Sequence, residues 1–195
     1  AALNSKFSGD SQAVFGASVI SLNTTGAGNT ALGRDTLGAN TTGSSNTAVG
    51  KSALIANTTG INNTAVGLGA LDANTTGGYN LAVGTEALSS ATTASNNLGI
   101  GHNAGGALTT GAVNVAIGNY ALDAGTTAAN NVAVGYGALT ASNANNNTAV
   151  GTNAGVAVTS ATELAIFGYA AGDAITTGSY NTALGTYALS GCIVG

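Results

Sequence analysis

The chain has 195 residues, of which 39 are Ala, 31 Gly, 28 Thr and 23 Asn, against three basic and seven acidic residues. A net charge of −4 with so few basic groups excludes a phosphate-binding surface, so no nucleic acid partner is expected. One Cys excludes an internal disulfide framework and a Cys-based zinc site, and no run approaches the roughly 18 apolar residues of a membrane span, so no membrane insertion is expected.

Leu, Ile, Val and Phe total only 40 residues, so folding depends on where they stand. They stand in a repeat. From the N-terminus, the Gly that closes each Asn-Thr-Ala-Val-Gly segment falls at Gly16, Gly33, Gly50, Gly67, Gly84, Gly101, Gly118, Gly135, Gly151, Gly168 and Gly185. The step is 17 residues throughout, except for 16 between Gly135 and Gly151. Ala2-Leu3, Gly9 and Gly195 extend the frame to both ends, so residues 1–195 read as one repeat array with no second domain.

Each copy begins with a short segment of period two, such as Thr47-Ala48-Val49. A second follows the Gly, as in Ala53-Leu54, and the copy closes on Asn-Thr-Thr-Gly. Period two signals strands, and this density of Gly argues against helix. Seventeen residues are too few for a domain but enough for one coil of a solenoid. The expectation is an all-β parallel β-solenoid of about eleven coils, two short strands per coil, stacked about 4.8 Å apart. The 16-residue step should fall in a turn between Ala141 and Asn147 and leave the strands in register.

The columns suggest roles. The residue before the Gly is apolar in all eleven copies, from Phe15 to Leu184, and is expected to face inward. The residue before that would then face outward: Ala31, Ala48, Ala65, Ala82, Ala116, Ala133, Ala149 and Ala183. A stripe of small residues on an outer face is a candidate lateral interface. Asn opens the first strand at Asn29, Asn46, Asn63, Asn80, Asn97, Asn114, Asn131, Asn147 and Asn181, where stacked amides can bond along the rod. Gly at the strand end supplies positive φ or close approach at a corner.

Six sequons stand at expected turns, at Asn23, Asn40, Asn57, Asn62, Asn74 and Asn146. In a secreted chain these are candidate glycosylation sites. The Tyr residues also fall at turns, where they can pack on a neighbouring coil or meet a cell-surface or glycan ligand. Neither end of the array carries a polar cap. Either the chain is cut from a longer array or another subunit stacks on each end, in which case Ala2, Leu3, Cys192, Ile193 and Val194 are candidate end-to-end contacts in a head-to-tail filament.

The motif Asn-Thr-Ala-Val-Gly-x-x-Ala-Leu resembles the head repeat of trimeric autotransporter adhesins, which carries Asn-Ser-x-Ala-Ile-Gly-x-x-Ala. It is also similar to repeats of phage tail-fibre and other secreted fibre proteins. The resemblance covers almost the whole chain, although each copy is short and built of common residues. It implies a left-handed β-roll and a homotrimer of chains packed side by side through small residues.

Catalytic patterns are missing from the sequence. His102 is the sole His, too few for a triad or a His-based metal site. Gly50-Lys51-Ser52 matches the end of a phosphate loop, but Ser45 stands where the earlier Gly is required. No cofactor, metal or enzymatic activity is expected. The expected function is a structural segment or subunit of an extracellular fibre, filament or adhesin, with self as partner. The alternatives are a receptor-binding phage tail fibre and an ice-binding solenoid.

Overall fold

A computed structural model describes residues 12–191. They contain eleven strands of three residues: β1 (Ala13–Phe15), β2 (Thr30–Leu32), β3 (Thr47–Val49), β4 (Thr64–Val66), β5 (Leu81–Val83), β6 (Leu98–Ile100), β7 (Val115–Ile117), β8 (Val132–Val134), β9 (Thr148–Val150), β10 (Ala165–Phe167) and β11 (Thr182–Leu184). They form one parallel sheet in sequence order. Register is copy on copy, with Thr47 opposite Thr64, Ala48 opposite Ala65 and Val49 opposite Val66. This is the expected β-solenoid, and at about 4.8 Å per strand the sheet is about 50 Å long.

The short copy changes no strand pairing, because Val132, Ala133 and Val134 still face Thr148, Ala149 and Val150. The lost residue is made good in the turn. At an ordinary corner the Thr41 carbonyl accepts from the backbone N–H groups of Thr24, Thr25 and Gly26. In the short copy the Asn143 side-chain Oδ1 takes that place, accepting from Thr126 N at 2.9 Å and Thr127 N at 3.0 Å.

Two expectations need correction. There is one strand per coil, not two. The Ala-Leu segment is a run of turns in which Leu37, Leu54, Leu71, Leu88, Leu122 and Leu139 all have φ between 48° and 52°. Left-handed backbone costs a non-Gly residue about 1–2 kcal/mol. These leucines are wholly buried, and burying a Leu side chain contributes about 1.5–3 kcal/mol. Burial therefore offsets the strain. Where Gly105, Gly155 and Gly172 interrupt the column, φ is 62°, 61° and 59°, so the backbone is the same. The missing side chain is replaced from three residues later by Leu108, Val158 and Ile175, where the other coils carry Asn or another small residue.

The second correction is the phase of the strands. Ala31, Ala48, Ala65, Ala82, Ala116, Ala133, Ala149 and Ala183 face inward and are buried in the core, so they are not a lateral interface. The reason is space. The Leu column projects from the turn side into the narrow interior and leaves room for little more than a methyl opposite it. At Gly99, in the same column, even a Cβ would lie 2.8 Å from Leu88 Cγ. Besides Val14 in the end strand, which is only partly buried, Ile166 is the exception that tests this account. It is accommodated because its Cδ1 lies about 3 Å from where Gly155 and Gly172 would carry a Cβ.

Candidate interaction surfaces

The polar side chains of the repeat are largely engaged within the rod. In the strand-opening column, Asn46 Nδ2 donates to the Gly60 carbonyl at 2.8 Å, and Asn29 Oδ1 accepts from Asn46 N at 3.0 Å. The pattern continues through Asn147, whose Oδ1 accepts from Leu164 N at 3.0 Å. The expected amide ladder is present. Leu164 interrupts it, and among the described residues the Asn181 side chain donates to the neighbouring turn carbonyls of Gly178 and Ser179.

A second amide ladder runs through Asn23, Asn40, Asn57 and Asn74. Asn40 Nδ2 donates to Asn23 Oδ1 at 2.8 Å, and Asn57 Nδ2 to Asn40 Oδ1 at 2.9 Å. Each Asn also donates to the carbonyl of the Gly three residues on, as Asn57 does to Gly60 at 3.1 Å. The Gly60 carbonyl thus joins the two ladders. A side chain at Gly60 would break this join, since a Cβ would lie 2.3 Å from Asn57 Oδ1.

This geometry corrects the glycosylation expectation. Asn23, Asn40, Asn57 and Asn74 are buried, and the Nδ2 that would carry a glycan is occupied in the ladder. They are not glycan acceptors in the folded rod. Asn62 and Asn146 lie on the surface, both with left-handed φ. Asn146 Nδ2 donates to Glu163 Oε1 at 2.9 Å. The end contacts Ala2, Leu3, Cys192, Ile193 and Val194 lie outside the described residues.

The Thr-Thr pairs occupy the corner rather than the strand face. Thr41 Oγ1 and Thr58 Oγ1 each donate to the Thr carbonyl of the following coil at 3.0 Å. The second Thr of each pair is exposed, as at Thr42, Thr76 and Thr110.

Aromatic residues line another corner. His102 packs edge-on to Tyr120 at 5.2 Å and Tyr120 to Tyr136 at 5.9 Å, while Tyr169 meets Tyr187 at 5.4 Å. These rings touch from coil to coil while Tyr136, Tyr169 and Tyr187 remain exposed, as Tyr79 and Tyr180 are. Burial raises the Asp123 carboxyl above its ordinary pKa, with His102 opposing. Burial also raises Asp72, with backbone hydrogen bonds opposing and Glu86 adding. Among the described residues no three His, Cys, Asp or Glu side chains group to hold a metal, and no helix is long and apolar enough to cross a membrane.

The surface the sequence reading missed is the outer face of the sheet. Because the middle residue of each strand points inward, its two neighbours point outward. One outward column runs Leu32, Val49, Val66, Val83, Ile100 and onward. The other carries Thr at β2, β3 and β4 and becomes Leu81, Leu98, Val115 and Val132 at the centre. Leu32 is 46% exposed, Leu81 37% and Phe167 40%. Beside the central strands an open groove of about 480 Å³ lies between this face and the turn residues Tyr79 and Val113. The signal is the apolar pre-Gly column, which the alternation alone places equally well on the inside. No family model, curated protein or solved structure matches the chain.

Proposed function

We propose that the chain is a non-enzymatic structural rod, a segment or subunit of an extracellular fibre, filament or adhesin built from stacked solenoid coils. The observation that carries this reading is where the polar chemistry goes. Asn amides, Thr hydroxyls and backbone groups are directed at the next coil, so the residues that could do chemistry instead hold the stack together. The repeat motif and the coil geometry together support kinship with the β-roll heads of trimeric adhesins and with fibre repeats. Self is the partner in this reading, and a surface outside the cell is its place. A solenoid of uniform coils suits a spacer, because its length is set by copy number.

Electron microscopy of the native material, with X-ray diffraction from an aligned sample, tests the reading. Extended fibres with a reflection near ~4.8 Å along the fibre axis are expected. Isolated short rods or globular particles would sink it.

A further inference from the structure

We propose that the outer face of the sheet is covered by the same face of another copy of this chain. The proposal rests on the rod reading above and names the surface through which rods associate. Parallel sheets occur almost only with both faces covered. Here the inner face is covered by the buried Leu and Ala columns. The outer face of the isolated chain meets solvent with large apolar side chains from β1 to β11, including Leu32, Val66, Leu81 and Phe167. None of the described charged residues lies on either outward column.

The repeat itself identifies the occupant. Side chains on this face recur at every strand, about 4.8 Å apart. A partner that meshes along all eleven strands must carry the same spacing over the same length. A second copy supplies both. It also supplies matching relief, because the exposed ridge of Tyr79 and Val113 stands beside a groove floored by Leu81, Leu98 and Val115. Three residues at about 3.3 Å across and about 50 Å along make a patch of roughly 500 Å² per chain. Two such patches bury roughly 1,000 Å², the size at which specific interfaces begin, and the flanking ridge adds to it. Long-lived interfaces are also the more hydrophobic ones, in keeping with an uncharged face.

The test is sedimentation of the full chain and of three variants. The first is Val49→Lys/Ile100→Lys/Val134→Lys, which places one charge on each of β3, β6 and β8, three and two strands apart. The second is the milder Val49→Thr/Ile100→Thr/Val134→Thr, which retains β-branched side chains should the lysines prevent folding. The third is the control Thr42→Lys/Thr76→Lys/Thr110→Lys, on the exposed corner. The unmodified chain and the control should sediment at two or more times the 18.4 kDa chain mass. The face variants should fall to the single-chain mass with the β circular dichroism retained. An unmodified chain that is monomeric at micromolar concentration overturns the proposal, as does a folded threonine variant that stays associated. Fibres one chain wide would overturn it while leaving the rod reading intact. Paired rods that never elongate would do the reverse.

Discussion

Asn74 Nδ2 donates to Asn57 Oδ1 at 2.8 Å, yet Asn74 Oδ1, although buried, receives no hydrogen bond. The second amide ladder stops there because the next coil has Ala91 in place of Asn. The change is paired with another. Three residues after each ladder Asn stands Gly, whereas Ala94 follows Ala91. Ala91→Asn alone should therefore destabilise the rod by about 1–3 kcal/mol through overpacking against the Ala94 methyl. Ala91→Asn/Ala94→Gly should recover about 1–2 kcal/mol of that by completing the hydrogen bond to Asn74. A double-mutant cycle read by thermal or denaturant unfolding checks the coupling. Additive effects would count against this account of the ladder.

The short copy makes a second prediction. Asn143 Oδ1 replaces a backbone carbonyl for two N–H groups. Asn143→Ala hands both exposed N–H groups to water and should cost about 0.5–1.5 kcal/mol. Asn143→Asp keeps the acceptor and should cost less. Hydrogen exchange at Thr126 and Thr127 should quicken in the Ala variant and not in the Asp variant.

A third prediction concerns pH. Burial raises the Asp72 carboxyl, so folding disfavours its charged form. The sign follows from linkage. A raised folded-state pKa contributes stability that is fully present below the ordinary carboxylate value and is lost as pH rises through the folded-state value. At neutral pH, Asp72→Asn should therefore raise the melting temperature. The difference should shrink as the pH falls below about 4, where Asp72 is protonated in both states. A gain independent of pH would show that charge is not the cause.

Much of this rod is legible in the repeat. The 17-residue frame yields the strand order, the register and the place of the short copy, because stacking equivalent residues is the arrangement that keeps every column uniform. The Asn29 to Asn147 ladder is legible for the same reason. Which face of the strand lies inside is not. Thr47-Ala48-Val49 alternates equally well in either phase, and the decision belongs to the opposite wall, where Leu54 fills the interior and leaves Ala48 the small space. Nor is the turn at the second segment legible, because Ala53-Leu54 alternates like a strand while Leu54 sits at φ 52°. A signal was available, since Gly105, Gly155 and Gly172 share that column and mark a left-handed position. The sequons at Asn40 and Asn57 misled in another way. A sequon is a local pattern, and burial of those amides comes from the coils above and below.

Among the described residues each strand touches only the strands next to it in sequence. A coil therefore needs about one more coil's length of chain to find its partners, and nothing from the far end. Such a chain can condense progressively, one coil at a time. Folding can start at any coil and spread to its neighbours, each finished coil serving as the template on which the next one forms.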